Sequence, residues 1–189
     1  MPALITALHD PDLGVRQGAT EALGRIGRTG SGSAVEPILI TALGDANPEV
    51  RKTAAVALGQ IKSPTARAMS SLIATLGDAE PEVRRGASEA LGQIGPVAVP
   101  ILLTAPRSTN PKIRQGAAVA LGRVEPAAAE TVSALIVALG DPDPEVRQHV
   151  TWALDTLDRQ QPGPSADRAG SRAGYDCCPW HSRVPPRSR

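Results

Sequence analysis

Asp45-Ala-Asn-Pro-Glu-Val-Arg-Lys-Thr-Ala-Ala-Val-Ala-Leu-Gly-Gln-Ile61 decides the fold, because the stretch recurs along the chain. In it, Val50-Arg51 is followed by Leu58-Gly59, seven residues after the arginine. The same spacing joins Val15-Arg16 to Leu23-Gly24, Val83-Arg84 to Leu91-Gly92, and Ile113-Arg114 to Leu121-Gly122. A fifth copy, Val146-Arg147, reaches Leu154 but has Asp155 in place of the glycine. The arginines are 35, 33, 30 and 33 residues apart. Self-similarity at such a period marks a stack of one supersecondary unit.

Upstream of the stretch, Val35, Ile38, Leu39, Ala42 and Leu43 fall on one face of a helix that Gly44 closes. Pro37 fits the first turn of that helix, where a missing N–H costs nothing. Asp45-Ala46-Asn47 makes a tight turn, with Asn47 as cap, Pro48 at the first position and Glu49 near the positive end of the second helix. Val50, Ala54, Ala57, Leu58 and Ile61 form the buried stripe of the second helix. Each unit is therefore a helical hairpin, and the fold class is all-α: a solenoid of about five hairpins. The expected repeats are about 1–27, 35–62, 68–95, 97–125 and 131–157, with Arg28–Ser33 a flexible linker. Pro106 stands where other repeats have Leu43, Leu76 and Leu139, so the first helix of the fourth repeat should end about a turn early.

Composition agrees. Phe is absent and Tyr175, Trp152 and Trp180 are the only aromatics, so the apolar content is Ala, Leu, Val and Ile, suited to closely packed helices. After Leu157 there is no Leu, Ile, Met or Phe, and residues 158–189 are expected to form a disordered Pro/Arg/Ser/Gly-rich tail that cannot bury enough apolar surface to offset ordering. Net charge is +1, divided as −2 over residues 1–157 (14 Lys/Arg, 16 Asp/Glu) and +3 over the remainder (6 Lys/Arg, 3 Asp/Glu). No global field therefore favours nucleic acid or an anionic membrane, and no apolar run approaches the ~20 residues of a membrane span. The start of the chain lacks a basic n-region, so no signal peptide is expected. Cys177 and Cys178, both in the last segment, give no disulfide framework; a cytoplasmic location is expected.

The string Asp-x-x-Pro-x-Val-Arg-x-x-Ala-x-x-Ala-Leu-Gly-x-Ile, present at Asp45–Ile61 and again at Asp78–Ile94, resembles the HEAT-like repeats named after phycobilisome (PBS) lyases, over about residues 1–157. The resemblance implies a right-handed, armadillo-like α-solenoid whose second helices line a concave face. It also implies hydrogen-bonded ladders between neighbouring repeats, built from the turn Asp and the Arg six residues later: Asp10/Arg16, Asp45/Arg51, Asp78/Arg84 and Asp141/Arg147, with Ser108 interrupting beside Arg114. It further suggests a second function, a bilin lyase-like subunit or chaperone acting on tetrapyrrole attachment. Deoxyhypusine hydroxylase shares the fold type and binds iron through His-Glu pairs. None of His9, His149 and His181 is followed by Glu, so no metal ligand is carried over.

The Asp/Arg columns and the glycine column Gly24, Gly59, Gly92 and Gly122 read as structural, the glycines marking close helix approach. Function is expected at the positions that vary between copies. One past each Arg stand Gln17, Lys52, Arg85, Gln115 and Gln148; five past stand Glu21, Val56, Glu89, Val119 and Trp152; nine past stand Arg25, Gln60, Gln93, Arg123 and Thr156. The candidate partner-binding set is Gln17, Glu21, Lys52, Val56, Gln60, Arg85, Glu89, Gln93, Gln115, Arg123, Gln148 and Trp152. Trp152 with His149 is the one bulky pair that looks exposed in the pattern, read either as an interface hot spot or as a tryptophan capping the apolar end of the last repeat. A mixed-charge face nearly free of aromatics argues against stacking on single-stranded nucleic acid and suits a protein partner. No phosphate loop, catalytic set or four-ligand metal site is visible, and Cys177-Cys178-Pro-Trp-His181 falls short of one. The expected protein is a non-enzymatic interaction scaffold without cofactor. It is expected to be part of a larger complex or a piece of a longer solenoid, since solenoid ends need polar caps.

Overall fold

The computed structural model describes residues 2–125 and 129–160. The expected tail from 161 onward, with Cys177, Cys178 and His181, lies outside the described residues. Ten α-helices follow in order among these: α1 Pro2–Ala7, α2 Leu13–Ile26, α3 Gly32–Ala42, α4 Pro48–Gly59, α5 Ala66–Thr75, α6 Pro81–Ile94, α7 Val99–Leu102, α8 Pro111–Leu121, α9 Ala129–Ala138 and α10 Pro144–Gln160. They pair as five hairpins, and the second helices α2, α4, α6, α8 and α10 pack successively on one another, making an α-solenoid.

Local chemistry sets the hairpin corners. Asn47 Oδ1 accepts from Glu49 N at 2.8 Å, Asn110 Oδ1 from Lys112 N at 3.0 Å, and Asp143 Oδ1 from Glu145 N at 2.8 Å. Proline opens α4, α6, α8 and α10, where its absent N–H has no partner to lose. Leucine fills the space between layers. Leu23, Leu39, Leu58, Leu72, Leu91, Leu102, Leu121, Leu135 and Leu157, one from each of α2 to α10, are fully buried. Burial of one such side chain stabilises by about 1.5–3 kcal/mol.

Three local expectations change. The Gly/Ser stretch after α2 is an ordered corner. Gly27–Ser31 is a single π-type turn, with Gly30 at φ 106°, that feeds straight into α3. Its small residues serve packing, since a Cβ on Gly27 would lie 3.1 Å from Ile61 Cγ1 and one on Gly32 would lie 2.7 Å from Ile61 Cγ2. Because α3 starts at Gly32, Pro37 sits inside the helix and not in its first turn. Finally, α10 runs three residues past Leu157, to Gln160. The Pro106 expectation holds. α7 stops at Leu102, three residues before the position matching Ala42, and Ala105–Arg107 tightens into a 3-10 turn.

One buried tie had no sequence signal. Glu36, on α3, accepts from Thr65 N at 2.9 Å and from Thr65 Oγ1, pinning the start of α5 to the preceding hairpin. Nothing in the repeat pattern marks Glu36, because no other repeat has a carboxylate there.

Candidate functional site

The turn aspartates and the arginines build one connected row, but not in the expected pairs. Each arginine donates Nη1 to carbonyls of its own turn, as Arg51 does to Asp45 O at 2.9 Å and Ala46 O at 3.1 Å. Its other edge reaches forward to the aspartate of the next repeat: Arg16 Nε to Asp45 at 3.0 Å, Arg51 to Asp78 at 2.8 Å, Arg114 to Asp141 at 2.7 Å. The aspartate meanwhile accepts a backbone N–H inside its own turn, as Asp78 does from Glu80 at 2.9 Å. The rungs are therefore Arg16–Asp45, Arg51–Asp78 and Arg114–Asp141, and not Asp45/Arg51, Asp78/Arg84 or Asp141/Arg147. Ser108 consequently interrupts the step from Arg84, whereas Arg114 has a full rung. Ser108 keeps the turn half of the role, accepting Asn110 N at 3.2 Å.

Electrostatics follow the rungs. The hydrogen bond from Arg114 holds the Asp141 carboxyl below the ordinary aspartate range against a smaller opposing effect of burial. At Asp78 burial pushes up, and the bonds from Arg51 and the Glu80 N–H together outweigh it to leave the group lowered. Arg51 and Arg114 are raised, chiefly by their hydrogen bonds to Asp78 and Asp141, while burial lowers Arg84.

The glycine column is a packing device. A Cβ on Gly24 would lie 2.8 Å from Ala57 Cβ, on Gly59 2.5 Å from Ala90 Cα, and on Gly122 2.8 Å from Ala153 Cα. At the α6–α8 step the register differs, and Gly92 faces Arg123 Cβ at 2.8 Å. Such distances leave no room for a side chain, so the second helices sit close and their variable residues stand side by side.

Twelve candidate residues therefore fall on one run of helices, in unequal environments. Glu21, Val56 and Gln60 line a groove of about 230 Å³ between α2 and α4, together with Arg25, Arg28 and Thr53. Arg28 lies one turn beyond Arg25, and treating the Gly/Ser stretch as a linker hid it. Further along, Arg85 Nε donates to Glu89 Oε1 at 2.9 Å, Arg123 Nη1 lies 3.9 Å from the same oxygen, and the Arg123 guanidinium stands 5.8 Å from the Trp152 ring centre. Four candidates, from α6, the turn after α8 and α10, thus form one chain of contacts. Lys52 Nζ lies 3.5 Å from Glu49. Gln93 and Gln148 are exposed and Gln17 is half-buried.

Gln115 is buried and donates to Glu145 Oε2 at 3.1 Å, and Val119 is fully buried. His149 and Trp152 are not a surface pair. His149 is buried with Nδ1 2.6 Å from Glu145 O, and Trp152 packs half-buried on the core. The cause is position: His149 stands where Gly86 and Gly116 lie under the preceding repeat. A larger cleft, about 420 Å³, opens between α1 and α3 and is lined by Ile5, Leu8, His9, Pro37 and Ile38 among others. Among the described residues no cluster of three or more His, Cys, Asp or Glu could hold a metal, and no helix is long and apolar enough to cross a membrane.

A family model described as HEAT repeats matches residues 1–69, 36–105 and 99–166. No curated protein matches the chain. Among solved structures, the MAST/Orbit N-terminal domain is similar at a TM-score of 0.59 and 16% identity, covering 84% of this chain and 83% of that one. The complex of CpcE and CpcF of phycocyanin lyase from Nostoc sp. PCC7120 is similar at 0.54 and 24%, covering 85% and 66%. A designed armadillo repeat protein in complex with the peptide (KR)4 is similar at 0.50 and 21%, covering 82% and 80%. At these identities the likenesses speak for the fold.

Proposed function

Because the chain belongs to the HEAT-repeat family, we propose that it is a non-enzymatic cytoplasmic scaffold that holds a segment of a protein partner along its second helices, on the concave side of the solenoid. The observation that carries this reading is the groove between α2 and α4. Its floor is Val56 with the close-packed Gly24 and Ala57, and its walls carry Glu21, Arg25, Arg28 and Gln60. A shallow apolar floor with donors and acceptors of both signs on its rim matches the anatomy of a protein-binding patch. The designed armadillo protein, similar in fold and solved in complex with a peptide, supports a peptide segment as the kind of partner.

The experiment is affinity capture from native lysate with the wild-type chain and with Glu21→Arg and Arg85→Glu variants of unchanged helical melt. Loss of one specific captured protein with either variant is expected. Capture indifferent to both variants overturns the reading. A second reading, a subunit of a bilin lyase of the PBS-lyase type, draws on the likeness to the CpcE–CpcF complex. Mixing the protein with phycocyanobilin tests it: an absorbance shift followed by chromophore transfer to an apo-protein would select the lyase.

A further inference from the structure

The second-helix row carries a charge that the body as a whole does not. Residues 1–157 hold 14 Lys/Arg and 16 Asp/Glu, yet the variable columns together with Arg28 hold five Lys/Arg and two Asp/Glu. Ten of the acidic residues stand in the corners before α2, α4, α6 and α10 or in the first turn of those helices. There they answer the ladder arginines and the positive helix ends, so the fold accounts for them.

Arg25 and Arg28 have no such use. Both are exposed, and neither pairs with a carboxylate among the described residues. They stand together on the wall of the α2–α4 groove. Further along, Glu89 is shared between Arg85 at 2.9 Å and Arg123 at 3.9 Å, and the trio keeps a net positive charge.

The residues nine past each ladder arginine order these charges. They run Arg25, Gln60, Gln93, Arg123 across the ends of α2, α4, α6 and α8, with a guanidinium at either side and amides between. Packed helices lie 8–10 Å apart, so three steps span roughly 24–30 Å, which about seven to nine residues of extended chain cover.

We propose that the segment held along this row is acidic and extended. Its carboxylates stand about seven to nine residues apart, one set at Arg25 and Arg28 and the other at Arg85 and Arg123. Gln60 and Gln93 lie under the stretch between, where side-chain amides can serve both N–H and C=O groups of a peptide. Glu21, also on the groove wall, is left to accept the segment's N–H groups. A continuous phosphate backbone would have to cross Glu21 and Glu89, whereas spaced carboxylates need not. This chemistry rests on the row being a partner surface, and specifies what that surface holds.

Fluorescence anisotropy of the full chain with labelled decapeptides is the test. One probe has two glutamates at each end and six serines between. A second has its four glutamates together in the centre, and a third has lysine for glutamate in the first pattern. The first should bind at least about tenfold more tightly than the second, because only it reaches both clusters, and than the third, which meets like charge. Arg25→Gln with Arg28→Gln, and separately Arg123→Gln, should each bring the first probe to the affinity of the second. Arg67→Gln, which removes an exposed cation from α5, should leave binding unchanged. If Arg123→Gln lowers the helical melt, the exposed pair Arg25 and Arg28 decides. Absent or equal binding of the three probes overturns the proposal. So does an equal loss with Arg67→Gln, or a ten-nucleotide single strand that binds more tightly than the first probe. Lysate capture that depends on Glu21 or Arg85 would stand in each of those cases, so the partner surface and its acidic ligand fail separately.

Discussion

At the scale of single residues, the arginine does two jobs at once: Nη1 fastens its own turn and the Nε–Nη2 edge holds the next. Asp141→Asn should therefore cost about 1–3 kcal/mol at pH 7, because it leaves the charged edge of Arg114 facing a neutral amide. The Asp141 carboxyl titrates below its ordinary value in the folded state. Its contribution is thus complete above the ordinary aspartate pKa of about 3.9 and is lost as pH falls from there through the folded value. Urea midpoints of wild type and Asp141→Asn should therefore converge as pH drops below about 4. The interrupted step gives the converse change. Ser108→Asp places a carboxylate where Asp45, Asp78 and Asp141 have one, and should raise stability by about 1 kcal/mol, seen as a higher melting temperature. The six-residue spacing of Asp and Arg was legible from the sequence. Which aspartate each arginine holds was not, because the offset between stacked repeats is a property of two hairpins and no single repeat encodes it.

At the scale of elements, the glycine positions separate into two kinds with opposite predicted signs. Gly59→Ala drives a methyl to 2.5 Å from the backbone of Ala90 and should destabilise by about 1–3 kcal/mol as α4 and α6 are forced apart. Gly18→Ala meets open space on α2 and should stabilise by about 0.5–1 kcal/mol through helix propensity alone. Thermal melts of the two single variants check both signs. The helices themselves were readable because their caps, prolines and apolar stripes are all local signals, and Pro106 shortened α7 as its covalent ring requires. The corner between α2 and α3 was misread because Gly and Ser signal flexibility in isolation. Their reason here is Ile61, thirty-four residues from Gly27 in sequence and in contact with it in space. His149 shows the same limit. Its helix face was legible, but the repeat lying over it was not.

At the scale of the whole molecule, the period alone gave the solenoid and the number of hairpins, since a recurring half-buried unit can complete its core only by stacking. The surface was less legible. The variable columns fall on one helix row, but Gln115 and Val119 are drawn inside where the register shifts at the α6–α8 step. One consequence of the forward-reaching rungs concerns interchange. Since each rung takes one member from each of two successive repeats, a whole period can be spliced out and the flanking partners will still meet. Excising 45–77 joins Gly44 to Asp78 and sets Arg16 against Asp78, leaving two rungs and the gap at Ser108. Excising 108–140, an equal length, joins Arg107 to Asp141 and sets Arg84 against Asp141, leaving three rungs and no gap. Both shortened chains should fold as four hairpins, and the second should melt at the higher temperature. The chain would then be a text in which one line can be removed with improvement to the grammar.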